Sequence, residues 1–111
     1  MPTKRFVNMV ATQCAPEHEQ EFNKWYDEVH IPMLFKFKGM TSVVRYKLSS
    51  GPADFPKYLA VYEFEDQKAF DDFSKGPEMA AARAEMNETW KGRAFEIKWR
   101  AQYEPLKTWK K

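Results

Sequence analysis

His30 is the residue in this sequence best suited to chemistry. Imidazole is the one side chain whose ordinary pKa lies near neutrality, so it can give or take a proton without a strongly perturbed environment. It stands within FNKWYDEVHIPMLFKFKGMTSVVRY, residues 22–46. Asp27 lies three residues before it and Tyr26 one helical turn before it, near enough on a helix for the carboxylate to orient the ring. Two readings of His30 are open. It is a general acid or base at the edge of a pocket, or it caps a helix C-terminus, where its charged form is favourable. His18, near the start of an acidic helix, reads as a surface residue.

Other reactive residue types carry less. Cys14 is the single cysteine, so no internal disulfide can form, and no basic neighbour activates its thiol. There is no C-x-x-C pair and no H-E-x-x-H, and the two histidines stand 12 positions apart, so no metal site is expected. The four glycines are scattered, which gives no phosphate-cradling loop and no expected cofactor. Arg45 interrupts an apolar strand. Its expected partner is Glu63 or Glu65 across a hairpin, with an anionic ligand as the alternative. Trp25 and Tyr26 read first as core, while Tyr46, Tyr58, Tyr62 and Tyr103 are strand residues whose hydroxyls need partners if buried. Trp90 and Trp99, with Met79 and Met86, fill either a core or an apolar cavity between helix and sheet.

The elements that must position these residues follow from periodicity. Residues 4–12 read as a strand with Phe6, Asn8 and Val10 on one face and Val7, Met9 and Ala11 on the other. Pro16 suits the first turn of a helix. Its apolar stripe runs through 22, 25, 26, 29 and 33, and Pro32 is expected to end it near His30 by pushing Ile31 out of the helical region. One irregular turn then carries Met33, Leu34, Phe35 and Phe37 inward, and Gly39 stops it in a left-handed conformation. Strands follow at 41–49 and 57–65 around the turn SGPADFP. Asp66 is the expected N-cap of a second helix, which breaks at Gly76-Pro77, restarts, and ends at Gly92. Residues 94–104 alternate strictly, placing Phe95, Ile97, Trp99, Ala101 and Tyr103 on one face.

The order is β-α-β-β-α-β, the ferredoxin-like split unit, an α+β fold with a four-stranded antiparallel sheet and its helices on one face. The length of 111 residues predicts one domain over 1–111. Aromatic residues make up 16% of the chain, a surplus that points to a second burial surface or a cavity. With 18 basic and 16 acidic residues, the chain lacks the dominant basic face of a nucleic-acid protein. The basic run Lys107–Lys111 reads as a solvated tail. No apolar run reaches the roughly 18 residues of a membrane span, and MPTKRFVNMV lacks the features of a signal peptide, so a cytoplasmic protein is expected.

WYDEVHIP followed by KGMTSVVRY resembles the EthD-like group of the dimeric α+β barrel proteins. The resemblance covers the whole chain in its order of elements and residues 22–46 in detail. It implies a homodimer in which two sheets pack face to face. It also implies a small-molecule protein without a cofactor, an enzyme of the monooxygenase, cyclase, isomerase or dehydratase type acting on a hydrophobic oxygenated or aromatic compound. In that reading His30, Asp27 and Tyr26 are catalytic, and Trp25, Tyr46, Tyr62, Trp90 and Trp99 hold the substrate. The alternative is a non-catalytic binding or accessory protein of a catabolic pathway. A third reading is a haem-degrading relative with His30 as axial ligand.

Overall fold

Alternating apolar side chains make β1 (Phe6–Cys14) and β3 (Tyr58–Phe64) the central pair of a four-stranded antiparallel sheet. β2 (Met40–Lys47) and β4 (Phe95–Tyr103) are its edges, in the order β2-β3-β1-β4. The computed structural model describes residues 5–92 and 94–111. A short 3-10 turn at Pro16–His18 leads into α1 (Glu19–Trp25), and α3 (Gln67–Ser74) and α4 (Pro77–Trp90) follow β3. The expected ferredoxin-like βαββαβ architecture is the one found. Asp66 caps α3 by accepting from the Ala69 amide at 2.8 Å. The core is a packed set of rings around Phe22, which is 0% exposed and touches Trp25, Tyr26, Tyr58, Trp90 and Phe95.

The first helix does not stop at His30. Tyr26–His30 forms a π-turn in which the Ile31 amide donates to the Tyr26 carbonyl, and Ile31 keeps helical angles, φ −62 and ψ −45. A π-turn holds one residue more than an α-turn. Pro32 therefore falls in the first turn of a new segment, α2 (Ile31–Leu34), where a missing N–H is tolerated. The extra residue also advances the helix phase by one. The expected stripe at 29 and 33 is buried instead at His30 and Leu34, and Val29 is 36% exposed. Of the turn that follows, Phe35 points outward, while Phe37 is half-buried.

A second slip lies in β4. Ala11 pairs with Trp99 but Thr12 pairs with Ile97, leaving Lys98 as a β-bulge. Phe95 and Ile97 face the helices, as the alternation predicts. Past Lys98 the faces exchange. Arg100 and Gln102, opposite Val10 and Asn8, turn toward the helices, while Trp99, Ala101 and Tyr103 turn to the open face. That face also carries Val44 and Tyr46 of β2, opposite Val61 and Leu59. It is apolar and bare: Val44, Tyr46, Trp99 and Tyr103 are 43%, 52%, 43% and 56% exposed.

Gly39 is not left-handed; the positive-φ glycines among the described residues are Gly51 and Gly92. Its role is close approach. A Cβ there would lie 2.9 Å from the Ala69 Cβ on α3 and 2.7 Å from the Phe37 ring. Gly39→Ala is expected to destabilise the protein by about 1–3 kcal/mol through overpacking, read as a lower urea midpoint with an unchanged m-value. An unaltered midpoint would show that α3 does not press on this loop.

Candidate functional site

The polar side chains that fall on the helix side of the sheet have to find partners or line a space. β1 places Asn8 and Thr12 in its core-facing row beside Phe6 and Val10. β3 places Tyr62 there, and the bulge in β4 adds Arg100 and Gln102. Opposite them stand Trp25, Tyr26 and His30, brought to one side by the phase of the π-turn. All of these residues except Phe6 line one cavity of about 280 Å³ between sheet and helices. The rest of its wall is mostly apolar, with Phe70 and Phe73 from α3 and Met79 and Met86 from α4, and also carries Ser74 and Arg83.

At the deep end the hydroxyls of Tyr26 and Tyr62 are 2.9 Å apart, and either can donate to the other. Both residues are 3% exposed. Burial raises both phenol pKa values, that of Tyr62 well above its ordinary value. For Tyr26 the bond with Tyr62 and the charges of Arg45 and Arg100 offset part of the rise. Both hydroxyls are therefore protonated at neutral pH, and a pair that shares one hydrogen keeps the other for a third oxygen.

His30 is 8% exposed and lies flat on Trp25, with ring centroids 4.7 Å apart. Its Nδ1 is buried without a hydrogen-bond partner. Burial lowers its pKa to about 4, against a smaller upward pull from Glu85, so the ring is neutral at pH 7. Trp25 is held in turn by its Nε1, which donates to Glu85 Oε1 at 2.9 Å. This is not the charged helix cap that one reading of the sequence predicts.

The expected orienter is elsewhere. Asp27 turns outward and accepts from Arg45 Nη1 at 2.9 Å, while Arg45 Nη2 donates to Asn23 Oδ1 at 2.9 Å. Arg45 thus pairs with α1 and the π-turn, not with Glu63 or Glu65, and its guanidinium lies 4.4 Å from the centre of the Tyr26 ring, bracing that tyrosine from behind. Of the expected binding residues, Trp25 and Tyr62 line the cavity. Trp90 is packed in the core behind it, against Phe22, Trp25 and Phe95. Tyr46 and Trp99 are on the open face, Trp99 because the bulge reverses it. Arg83, Arg100, Gln102, Asn8 and Thr12 line the cavity without having been expected there. Asn8 carried a usable signal, a polar residue in a row otherwise directed at the core.

The arrangement is that of a ferredoxin-like α+β protein with a cavity between its sheet and its helices. The chain belongs to the family described as a domain of unknown function, DUF4286, whose profile matches residues 5–101. No curated protein matches it. Solved structures share the fold at low identity. An EthD family protein from Bacillus halodurans is 16% identical, with a TM-score of 0.65 over 86% of this chain and 96% of its own. A DABB family protein with a ferredoxin-like fold, from Mesorhizobium loti, is 16% identical with a TM-score of 0.65 over 95% and 98%. The haem degrader MhuD from Mycobacterium tuberculosis, solved with two haems in its active site, is 16% identical with a TM-score of 0.69 over 95% and 99%. The resemblance of WYDEVHIP to the EthD-like proteins thus extends to the fold. Among the described residues no helix is long and apolar enough to cross a membrane.

The neutral, buried His30 makes stability depend on pH. Its folded pKa of about 4 lies below the unfolded value of 6.5, so the unfolded chain binds the proton more readily. The contribution is complete above pH 6.5 and is lost as pH falls toward 4, a total of about 3 kcal/mol. Urea unfolding across that window is expected to show this loss in the natural protein and a loss smaller by that amount in His30→Gln. Parallel pH profiles for the two proteins would place the His30 ring in water.

Proposed function

We propose that this protein binds a small oxygenated ring compound in the cavity and acts on it without a cofactor, by proton transfer of the isomerase, cyclase or dehydratase kind. The observation that carries the reading is the buried Tyr26–Tyr62 hydroxyl pair beside His30. A carbonyl or phenolic oxygen of the ligand accepts the free hydrogen of the pair. Charge that develops on that oxygen is stabilised by the hydroxyl that donates to it, itself polarised by the bond it accepts from the other. Neutral His30 is the group available to take a proton from the ring. The cavity volume, about 280 Å³, is at the low end of small-molecule sites and suits one or two rings. Haem does not fit the cavity, whose volume of about 280 Å³ is short of a macrocycle.

A second reading, a binding or accessory protein without turnover, is favoured by the low basicity of His30, whose pKa of about 4 makes it a weak base at pH 7. Mass spectrometry of small molecules released from the purified protein, followed by incubation with the compound found, separates the two. A product supports the enzyme, and unchanged release supports the binder. The tyrosine pair is tested by a double-mutant cycle. Tyr26→Phe and Tyr62→Phe each leave one buried hydroxyl unpaired and are expected to cost about 1–2 kcal/mol, whereas the double variant recovers most of that stability. Ligand retention or turnover is expected to fall at least fivefold in all three. Full retention in the stable double variant would remove the pair from the site.

We also propose that a second copy of the chain covers the open sheet face. Val44, Tyr46, Trp99 and Tyr103 form an apolar surface on a protein whose charges are otherwise balanced, and two such sheets facing one another bury it symmetrically. Light scattering is expected to give twice the 13.2 kDa chain mass, and Tyr46→Lys with Trp99→Lys is expected to halve it. A stable monomer at micromolar concentration in the natural protein would refute the assembly.

A further inference from the structure

The charge around the cavity is arranged in a way that the proposed function does not require. Among the described residues no aspartate or glutamate lines it, and its buried polar groups are neutral, His30 among them. The lining residues that are exposed are Ser74, Arg83, Arg100 and Gln102, so these form its rim. Two of the four are arginines. They come from facing elements, Arg83 from α4 and Arg100 from β4, and so approach the opening from two sides.

Neither guanidinium has an ion-pair partner among the described residues. Four other cations do have one: Arg45 with Asp27, Lys57 with Glu19, Lys68 with Asp72, Lys98 with Glu96. Most cations among the described residues are likewise unpaired; what marks these two is that both stand at one opening that no carboxylate among the described residues lines. Arg100 is on this side of the sheet because of the bulge at Lys98, and bulges commonly re-aim side chains beside functional sites. Gln102, turned the same way, donates to Asn8 Oδ1 at 2.8 Å, which ties the rim end of β4 to the cavity floor.

We propose that the ligand is an aromatic carboxylate, its carboxylate held at the rim by Arg83 and Arg100 and its ring lying among Phe70, Phe73, Met79 and Met86. This rests on the cavity reading above and adds the ligand's charge to it. Arginine presents paired N–H donors that match a carboxylate, and two of them give a charge-assisted clamp that a neutral ring cannot use. The carboxylate end stays near water, and the opposite end of the molecule enters toward the tyrosine pair. The clamp therefore sets which atom of the ring meets Tyr26 and Tyr62.

Isothermal titration calorimetry with three probes of one shape tests this: 2-naphthoate, methyl 2-naphthoate and 2-naphthol. The natural protein is expected to bind naphthoate at least tenfold more tightly than the other two, with an affinity that falls as salt rises. Arg83→Gln and Arg100→Gln, at exposed positions, are expected to weaken naphthoate five- to tenfold each while leaving naphthol within twofold. Arg100→Lys is expected to recover part of the loss. If all three probes bind alike, or if the glutamine variants leave naphthoate unchanged, the carboxylate clamp is wrong and the cavity reading stands. If none of the three binds, the cavity reading fails and the clamp fails with it.

Discussion

The Ile31 amide donates to the carbonyl of Tyr26, five residues back, and that bond carries the helix past a proline that should have ended it. An α-helical bond at this point would leave His30 where the sequence suggests, at a helix end on the flank of the stripe. The longer loop of the π-turn inserts one residue into the phase. Val29 is turned out and His30 is turned in, onto Trp25. The aromatic packing then follows. Trp25 and Tyr26 stay on the buried side with Phe22, Tyr26 reaches Tyr62 across the gap to the sheet, and Arg45 closes over its outer face. The cost is a buried Nδ1 without a partner, which the packing around it must offset. Such a cost is more common at functional sites than in plain cores.

Most of the fold was legible because it depends on simple periods. Alternation over residues 6–12 and 57–65, the Asp66 cap and the Pro77 restart each follow from one local rule, and the tertiary structure leaves them alone. The two errors of facing share a cause. The stripe 22, 25, 26, 29, 33 assumes an unbroken helical period, and the row Phe95 to Tyr103 assumes an unbroken strand period. Each is interrupted once, by one residue, and each count is right up to the interruption and wrong beyond it. Single-residue slips carry no sequence signature of their own. Lys98 is an ordinary strand residue, and Pro32 argues for a helix end rather than for a π-turn.

The candidate site was therefore only partly readable. His30, Tyr26, Trp25 and Tyr62 are together, and the first three stand close in the chain, so local reasoning reaches them. Asp27 was misplaced because a carboxylate three residues from a histidine was given to that histidine, whereas Arg45, 18 positions away, offered it a full charge and a bidentate geometry shared with Asn23. Arg83 and Arg100 were missed because two exposed arginines look the same in sequence whether they face water or an opening. For Arg100 the pairing of β4 with β1 decides, and for Arg83 the packing of α4 beside the cavity.

The bulge at Lys98 does one more thing. It lets β4 serve two masters in nine residues: its outer half hands Arg100 and Gln102 to the cavity and, by the same displacement, hands Trp99, Ala101 and Tyr103 to the bare side of the sheet. Regular pairing through Lys98, without the bulge, would exchange the two sets at a stroke, sending indole and phenol rings toward the cavity and a guanidinium onto the apolar sheet. No point substitution on either side restores both. Drift in this strand is thus confined to changes that keep the register step between Ile97 and Trp99, and the two surfaces of the sheet are inherited as a pair rather than separately.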